Sequence, residues 1–284
     1  MKLTRREFIE LGAGTVVAGS IARGLYETHE LDITRHDIRL KRLPEAMHNL
    51  RVAQLSDIHF YPNHPAGHVA RAVAAVNRER PDLVLLTGDF VTSAYHQREQ
   101  RAQHAWPCAE ILRGLRATMG IFAVLGNHDH HSDADVVSAA LRSSGNIRLL
   151  RNESVPLTRG GSRIWMAGLD SASAHAANVH ATLKGIPVTD CVLAAVHEPD
   201  FADVLRQFPV DMQFSGHSHG GQIVFPVVGA LYYPWGAHKY PRGYYRLGEY
   251  QLYTNRGLGE IVLPMRLMCP PELSIFTLKS GTLA

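Results

Sequence analysis

Five short apolar runs each end in a side chain able to ligate a metal, and that regularity restricts the fold more than any other feature of the chain. Val52 to Leu55 leads into Asp57-Ile58-His59, and Leu83 to Leu86 leads into Gly88-Asp89. Ile121 to Leu125 leads into Gly126-Asn127-His128-Asp129. Val192 to Val196 precedes His197, and Met212 to Phe214 precedes Gly216-His217-Ser218-His219. Runs of this length, rich in Val, Ile and Leu, suit strands buried on both faces. Open α/β sheets build their sites just beyond the carboxyl ends of such strands. Residues far apart in sequence can therefore converge on one rim.

Helical spacing fills the gaps between the runs. Val69, Ala72, Val73 and Val76 repeat at helical intervals, and Pro81 stops that segment. Cys108, Ile111, Leu112 and Leu115 repeat the pattern, and Asp133 can cap a third helix through Leu141. Strand–helix alternation predicts right-handed crossovers in a parallel sheet. Further strands are predicted over Asp32 to Leu40, Ile147 to Leu157 and Arg163 to Leu169, the last two divided by Arg159-Gly160-Gly161-Ser162. Helices are predicted over His175 to Leu183 and after His197, with Pro199 in the first turn. Helical spacing ends at Gln222. Gly243 to Arg256 and Glu272 to Lys279 predict strands separated by glycine turns. The fold class is α/β, one domain of two packed sheets with helices outside.

At 284 residues with 45% hydrophobic and 19% charged residues, the chain can bury a real core. Its net charge of +3 gives no electrostatic case for nucleic acid. Cys108, Cys191 and Cys269 are too widely spaced for a disulfide framework or a zinc knuckle, so buried thiols are expected. Thr4-Arg5-Arg6-Glu7-Phe8-Ile9 precedes a modest apolar run from Leu11 to Ala22. That order predicts a twin-arginine signal over residues 1–22, with Ser20-Ile21-Ala22 suited to cleavage, and a domain over 23–284. Export to the periplasm, or to the outer face of the cytoplasmic membrane, and passage through the twin-arginine translocase are the corresponding expectations.

Asp57, His59, Asp89, Asn127, His197, His217 and His219 supply seven donors, enough for two divalent ions if one carboxylate bridges. Mixed imidazole, carboxylate and amide donors suit Mn, Fe or Zn more than Ca or Mg. Each motif alone is weak: an Asp-x-His pair is more often surface, and Gly-Asp after a strand is usually a turn. Their order, each behind a strand end, is the signal. It resembles the five ordered motifs of the calcineurin-like metallophosphoesterases over residues 50–220. The stretch beyond narrows the likeness. Gly220-Gly221-Gln222-Ile223, Arg256-Gly257-Leu258-Gly259 and Leu263 to Glu272 resemble an exported bacterial branch, the YaeI/YkuE-like phosphodiesterases. The resemblance implies a four-layer αββα sandwich. It also implies Asp57, His59 and His219 on one ion, Asn127, His197 and His217 on the other, and Asp89 bridging.

Two ions can activate a bridging hydroxide for in-line attack on phosphorus. His128, not needed as a ligand, can protonate the leaving oxygen. Asp129 can accept the other imidazole hydrogen, or it is a simple loop carboxylate or helix cap. His130 and His131 are expected as exposed loop residues. The aromatic stretch from Leu231 to Arg246 follows the last histidines and can overhang the site. It suits a sugar or lipid head group bearing phosphate, or it covers the second sheet. The expected activity is phosphodiester hydrolysis by a monomer, on a lipid-linked or wall-linked substrate. A phosphomonoesterase, a pyrophosphatase of the UDP-diacylglucosamine type, and a non-catalytic scaffold are the alternatives.

Overall fold

The computed structural model describes residue 4 and residues 18–61, 66–93 and 97–281. The paired arginines and most of the expected signal segment lie outside the described residues. Residues 18–27 are helical (α1). Among the described residues, no helix is long and apolar enough to cross a membrane.

Two six-stranded mixed sheets form the centre. The first comprises β1 (Asp32–Leu40), β2 (Leu50–Leu55), β3 (Leu83–Leu86), β4 (Gly120–Ala123), β5 (Ile147–Leu149) and β14 (Glu272–Ser280), in the order β1-β14-β2-β3-β4-β5. The run β2-β3-β4-β5 is parallel, whereas β14 is antiparallel to β2 and parallel to β1. The second comprises β6 (Glu153–Arg159), β7 (Ser162–Gly168), β8 (Cys191–Ala195), β9 (Met212–Ser215), β12 (Gly243–Leu247) and β13 (Tyr250–Thr254), in the order β12-β13-β9-β8-β7-β6. Its central β13-β9-β8-β7 run is parallel, and each edge strand is antiparallel to its neighbour. A two-residue hairpin, β10 (Val224–Phe225) with β11 (Gly229–Ala230), stands apart.

Three apolar clusters define the layers. One lies between the sheets, joining Val52, Leu85 and Phe276 of the first to Leu193, Met212 and Phe214 of the second. Another packs the first sheet against α2 (Ala66–Glu79), α4 (Ala105–Leu112) and α5 (Asn127–Ser143). The third packs the second sheet against α6 (Val179–Thr182) and α7 (Ala202–Leu205). Continuous apolar strands thus have both faces covered, which gives the expected αββα order. All three cysteines are buried free thiols.

Several boundaries differ from the sequence reading. Ile147 to Leu157 is not one strand: the chain leaves the first sheet after β5 and enters the second at β6. Polar Arg151 and Asn152 sit at the crossing, with Asn152 at φ 57°. The helix expected behind Asp133 begins earlier, at Asn127, and breaks at Asp133 (φ −171°, ψ 101°). There the Asp133 carboxylate accepts from the N–H of Asp135 and Val136, so it caps the second half as expected. His130 is therefore helical, not in a loop, and shares a 2.5 Å hydrogen bond with Asp170; His131 is exposed. The segment from His175 is helical only over Val179–Thr182, capped by Asn178. Gly243 to Arg256 is a hairpin rather than one strand, and a short α3 (Arg98–Ala102) was not foreseen.

Phe276 is fully buried between the sheets, with ring centroids 5.1 Å from Phe214 and 4.9 Å from Tyr253. Phe276→Ala should destabilise the protein by about 3–5 kcal/mol. Denaturant melts would show this as a lower midpoint with an unchanged slope.

Candidate metal centre

Every donor named from sequence lies at the carboxyl end of a parallel strand. β2, β3 and β4 of the first sheet deliver Asp57, His59, Asp89 and Asn127; β8 and β9 of the second deliver His197, His217 and His219. The motif loops extend the ladder past the strands. Asp57 N–H donates to Gly88 O, His59 N–H to Asp89 O, and Gly216 N–H to His197 O, each at 3.0 Å. The chain must turn sharply there. Asp57, His59, Asp89, His217 and His219 all have φ between 47° and 69°, left-handed backbone that side-chain-bearing residues seldom adopt.

Three sets of potential ligand atoms each lie within 4.8 Å of one another: Asp57–His59–His219, His59–Asp89–His128, and Asp89–His197–His217. His59 and His219 bring their Nε2 atoms to 3.0 Å. Asp89 Oδ2 lies 3.1 Å from His197 Nε2 and 3.5 Å from His59 Nε2, between the outer sets. Among the described residues, the Asn127 side-chain oxygen and His219 Nδ1 are buried without a hydrogen-bond partner. Buried polar atoms are normally satisfied. An oxygen and an imidazole nitrogen left bare among carboxylates fit divalent-ion binding. The outer nitrogens of His197, His217 and His59 are tethered, as second partners of metal-binding imidazoles usually are. His197 Nδ1–H donates to Thr87 O at 2.6 Å, His217 Nε2–H donates to Trp235 O at 2.8 Å, and His59 Nδ1 shares a 3.2 Å bond with Thr92 Oγ1.

The electrostatics are those of a dry, crowded site. Burial pushes the Asp57 carboxyl up to about 6, with the nearby Asp89 adding to the effect. Burial also opposes ionisation of Asp89, but His197, His128 and His59 outweigh it and hold that carboxyl well below its usual range. Desolvation drives His59 and His219 well below the usual imidazole value, leaving them neutral, which is the ligating form.

Two expectations change. The Asp129 carboxylate does not meet His128. It is buried and accepts from the backbone N–H of Asp89, Phe90, Val91 and Gly126 at 2.8–3.3 Å. It thus caps α5 and fixes the Asp89 loop. His128 Nδ1 instead accepts from the N–H of Ser93 at 3.1 Å, with Ser93 Oγ at 2.8 Å. Lys239, inside the stretch expected to overhang the site, pairs with Asp203.

Sequence reasoning missed Glu198. It is buried beside His197 and accepts from Ser171 Oγ and the N–H groups of Ala172 and Ser173. An acidic residue directly after a ligand histidine was the available signal. His128, Ser218 and His219 form part of the wall of a cavity of about 740 Å³, whose mouth is lined by Leu231, Tyr232 and Val262. The aromatic stretch from Leu231 does border the site at its start, through Tyr232, Pro234 and the Trp235 carbonyl.

The chain's relatives share this ground. Residues 50–221 match the family model for calcineurin-like phosphoesterases. The metallophosphoesterase YkuE of Bacillus subtilis is 32% identical over 287 residues, spanning 98% of this chain and 99% of that protein. The phosphodiesterase YaeI of Escherichia coli is 27% identical over 284 residues, spanning 97% and 99%. UDP-2,3-diacylglucosamine pyrophosphatase LpxG of Chlamydia muridarum is 27% identical over 328 residues, spanning 92% and 94%. With the matched model covering all five donor motifs, the chain belongs to the calcineurin-like phosphoesterases and is a metallophosphoesterase.

Proposed function

We propose that the chain is a dinuclear phosphodiester hydrolase acting on a lipid-linked or envelope phosphodiester outside the cytoplasm. One observation carries the reading: donors from both sheets converge while the outer nitrogens of His59, His197 and His217 are tied to carbonyls and a hydroxyl. Asp57, His59 and His219 would hold one ion and Asn127, His197 and His217 the other, with Asp89 shared. Mn, Zn or Fe suits this donor set. Divalent ions held there would polarise phosphoryl oxygens and lower the pKa of water for in-line attack.

The chain's own part is positional. Ser93 N–H occupies Nδ1 of His128, which leaves Nε2–H to face the leaving oxygen. Asp129 acts at one remove, holding the backbone that carries Asp89. A cavity with polar histidines on one wall and an apolar mouth suits a phosphate joined to a lipid better than a free nucleotide.

A second reading, pyrophosphate cleavage of a nucleotide-linked lipid, is supported by the likeness to LpxG. The export-type start of the sequence favours the envelope substrate. A phosphomonoesterase would use the same donors. A scaffold role is disfavoured because no donor is replaced. We further propose twin-arginine export of the folded, metal-loaded monomer.

His217→Ala should lose bound metal by elemental analysis together with activity. His128→Ala should keep its metal and lose about 100-fold or more in turnover of an alkyl diester. Near-wild-type turnover by metal-replete His128→Ala on that unactivated substrate would remove the acid assignment. Asp129→Asn replaces an acceptor-only group with one that also donates. It should cost about 2 kcal/mol or more of stability and weaken metal retention, read by thermal melts and dialysis against chelator.

A further inference from the structure

An unusual apolar rim borders the same cavity: Leu231, Tyr232, Val262 and Leu263 line it, and the β10–β11 hairpin that follows Ile223 of its lining carries Val227 and Val228. Val227 and Val262 sit at loop tips with their side chains fully in water, at 108% and 98% exposure. Both have left-handed backbone, φ 69° and 61°. A β-branched residue there is a backbone outlier, and strain of that kind clusters at ligand clamps and switch regions. A polar residue such as Asn would suit both the backbone and the solvent. Valine suits neither unless something apolar meets it.

The surroundings continue the pattern. Val228, Leu231, Tyr232 and Trp235 are 65–73% exposed, and Leu263 and Met268 about half exposed. Two backbone hydrogen bonds join the segments that carry them. Val224 N–H donates to Leu267 O at 2.9 Å, joining the hairpin that carries Val227 and Val228 to the loop that carries Val262. Arg266 N–H donates to Gly24 O at 3.0 Å, joining α1 to that loop. Helix α1 adds exposed Leu25 and Tyr26. Monomeric soluble proteins rarely gather so much apolar surface in one place.

We propose that this rim docks on a phospholipid bilayer, with the two valine tips entering the acyl boundary around the cavity mouth. Three observations choose a bilayer over other occupants. The apolar run from Leu11 to Ala22 overlaps the start of α1, and α1 joins this rim at Gly24. Tyr232 and Trp235 stand among the aliphatic tips, the pairing of residues found at membrane interfaces. The cavity behind the rim is polar on one wall and apolar at its mouth, which admits a head group while its tails stay in the membrane. Docking stands on the rim alone; its use in presenting a lipid-linked phosphodiester rests on the hydrolase reading.

The test uses the full-length, metal-replete protein with a single environment-sensitive fluorophore at Val228→Cys. The native cysteines are buried and do not compete for label. A control label at Val188→Cys sits on an exposed valine before β8, at the end of that strand opposite the histidines. Phosphatidylethanolamine–phosphatidylglycerol vesicles should shift emission at 228 to the blue and leave 188 unchanged. Val227→Asn with Val262→Asn should shrink that response about threefold, since apolar burial drives interfacial docking. The melting temperature should hold or rise, because Asn tolerates the left-handed backbone. No shift at 228, an equal shift at 188, or no association with vesicles would overturn the proposal. So would a shift that needs no vesicles but grows with protein concentration, which would mark contact with a second copy. Turnover of a soluble chromogenic diester by the labelled protein separates the two readings: vesicle docking without hydrolysis would retain this rim and end the hydrolase assignment.

Discussion

The Asp57 carboxylate accepts the backbone N–H of His217 at 2.9 and 3.0 Å, and that bond closes the first sheet onto the second at the rim. A donor carboxylate on β2 is thereby fixed against the loop that carries two donor histidines. Gly216 makes the approach possible: a Cβ there would stand 1.9 Å from Ser56 Oγ and 2.2 Å from Asp57 Oδ2. Only glycine lets the two strand ends come so close. Deeper in, Gln54 Nε2 donates to Ser215 O at 2.9 Å and repeats the link between the sheets. The apolar sandwich sets the spacing of the sheets, and these polar bonds set their register at the site.

Strain and electrostatics at the rim have one origin. Five donors in left-handed backbone cost on the order of 1–3 kcal/mol each. Two carboxylates and four imidazoles, all buried together, add a desolvation penalty that a domain with little stability to spare carries only for a purpose. The apolar core, continuous through both sheets, holds the arrangement against these costs. Bound cations would relieve that penalty, which agrees with the bare oxygen of Asn127.

The parallel strands and the donors were legible because periodicity and side-chain chemistry both mark them. Leu83–Leu86 has four consecutive buried residues, and no turn or amphipathic helix reads that way. What escaped was set by long-range geometry. The break between β5 and β6 follows from the chain changing sheets at Asn152, and a run of alternating residues does not record which sheet each part joins. Asp129 was assigned to its sequence neighbour His128, but the amides of Asp89, Phe90 and Val91, some 40 positions upstream, reach its carboxylate first. Ser93, the residue that does hold His128, belongs to no motif. The valine tips carry no signal either, since exposure and positive φ are properties of the folded loop.

Arg266 links the rim to the floor. Its side chain is fully buried. Its guanidinium donates to the carbonyls of Cys269 at 3.1 Å, Arg256 at 3.0 Å and Gly259 at 2.5 Å. Burial lowers its pKa, opposed by the nearby Cys269, Glu260 and Asp57. A lysine could not serve in the same way, because the fixed fork of a guanidinium presents separate donors to three carbonyls at once. The fork gathers residues 256–269 into one body. From it Gly259 N–H reaches Asp57 O at 2.7 Å and Leu258 N–H reaches Ser56 O at 2.9 Å. Val262 projects from this same body to the outside. The exposed tip stands three residues from Gly259, whose N–H holds the Asp57 backbone and whose carbonyl the guanidinium holds, so one loop carries both the rim and the support of a donor.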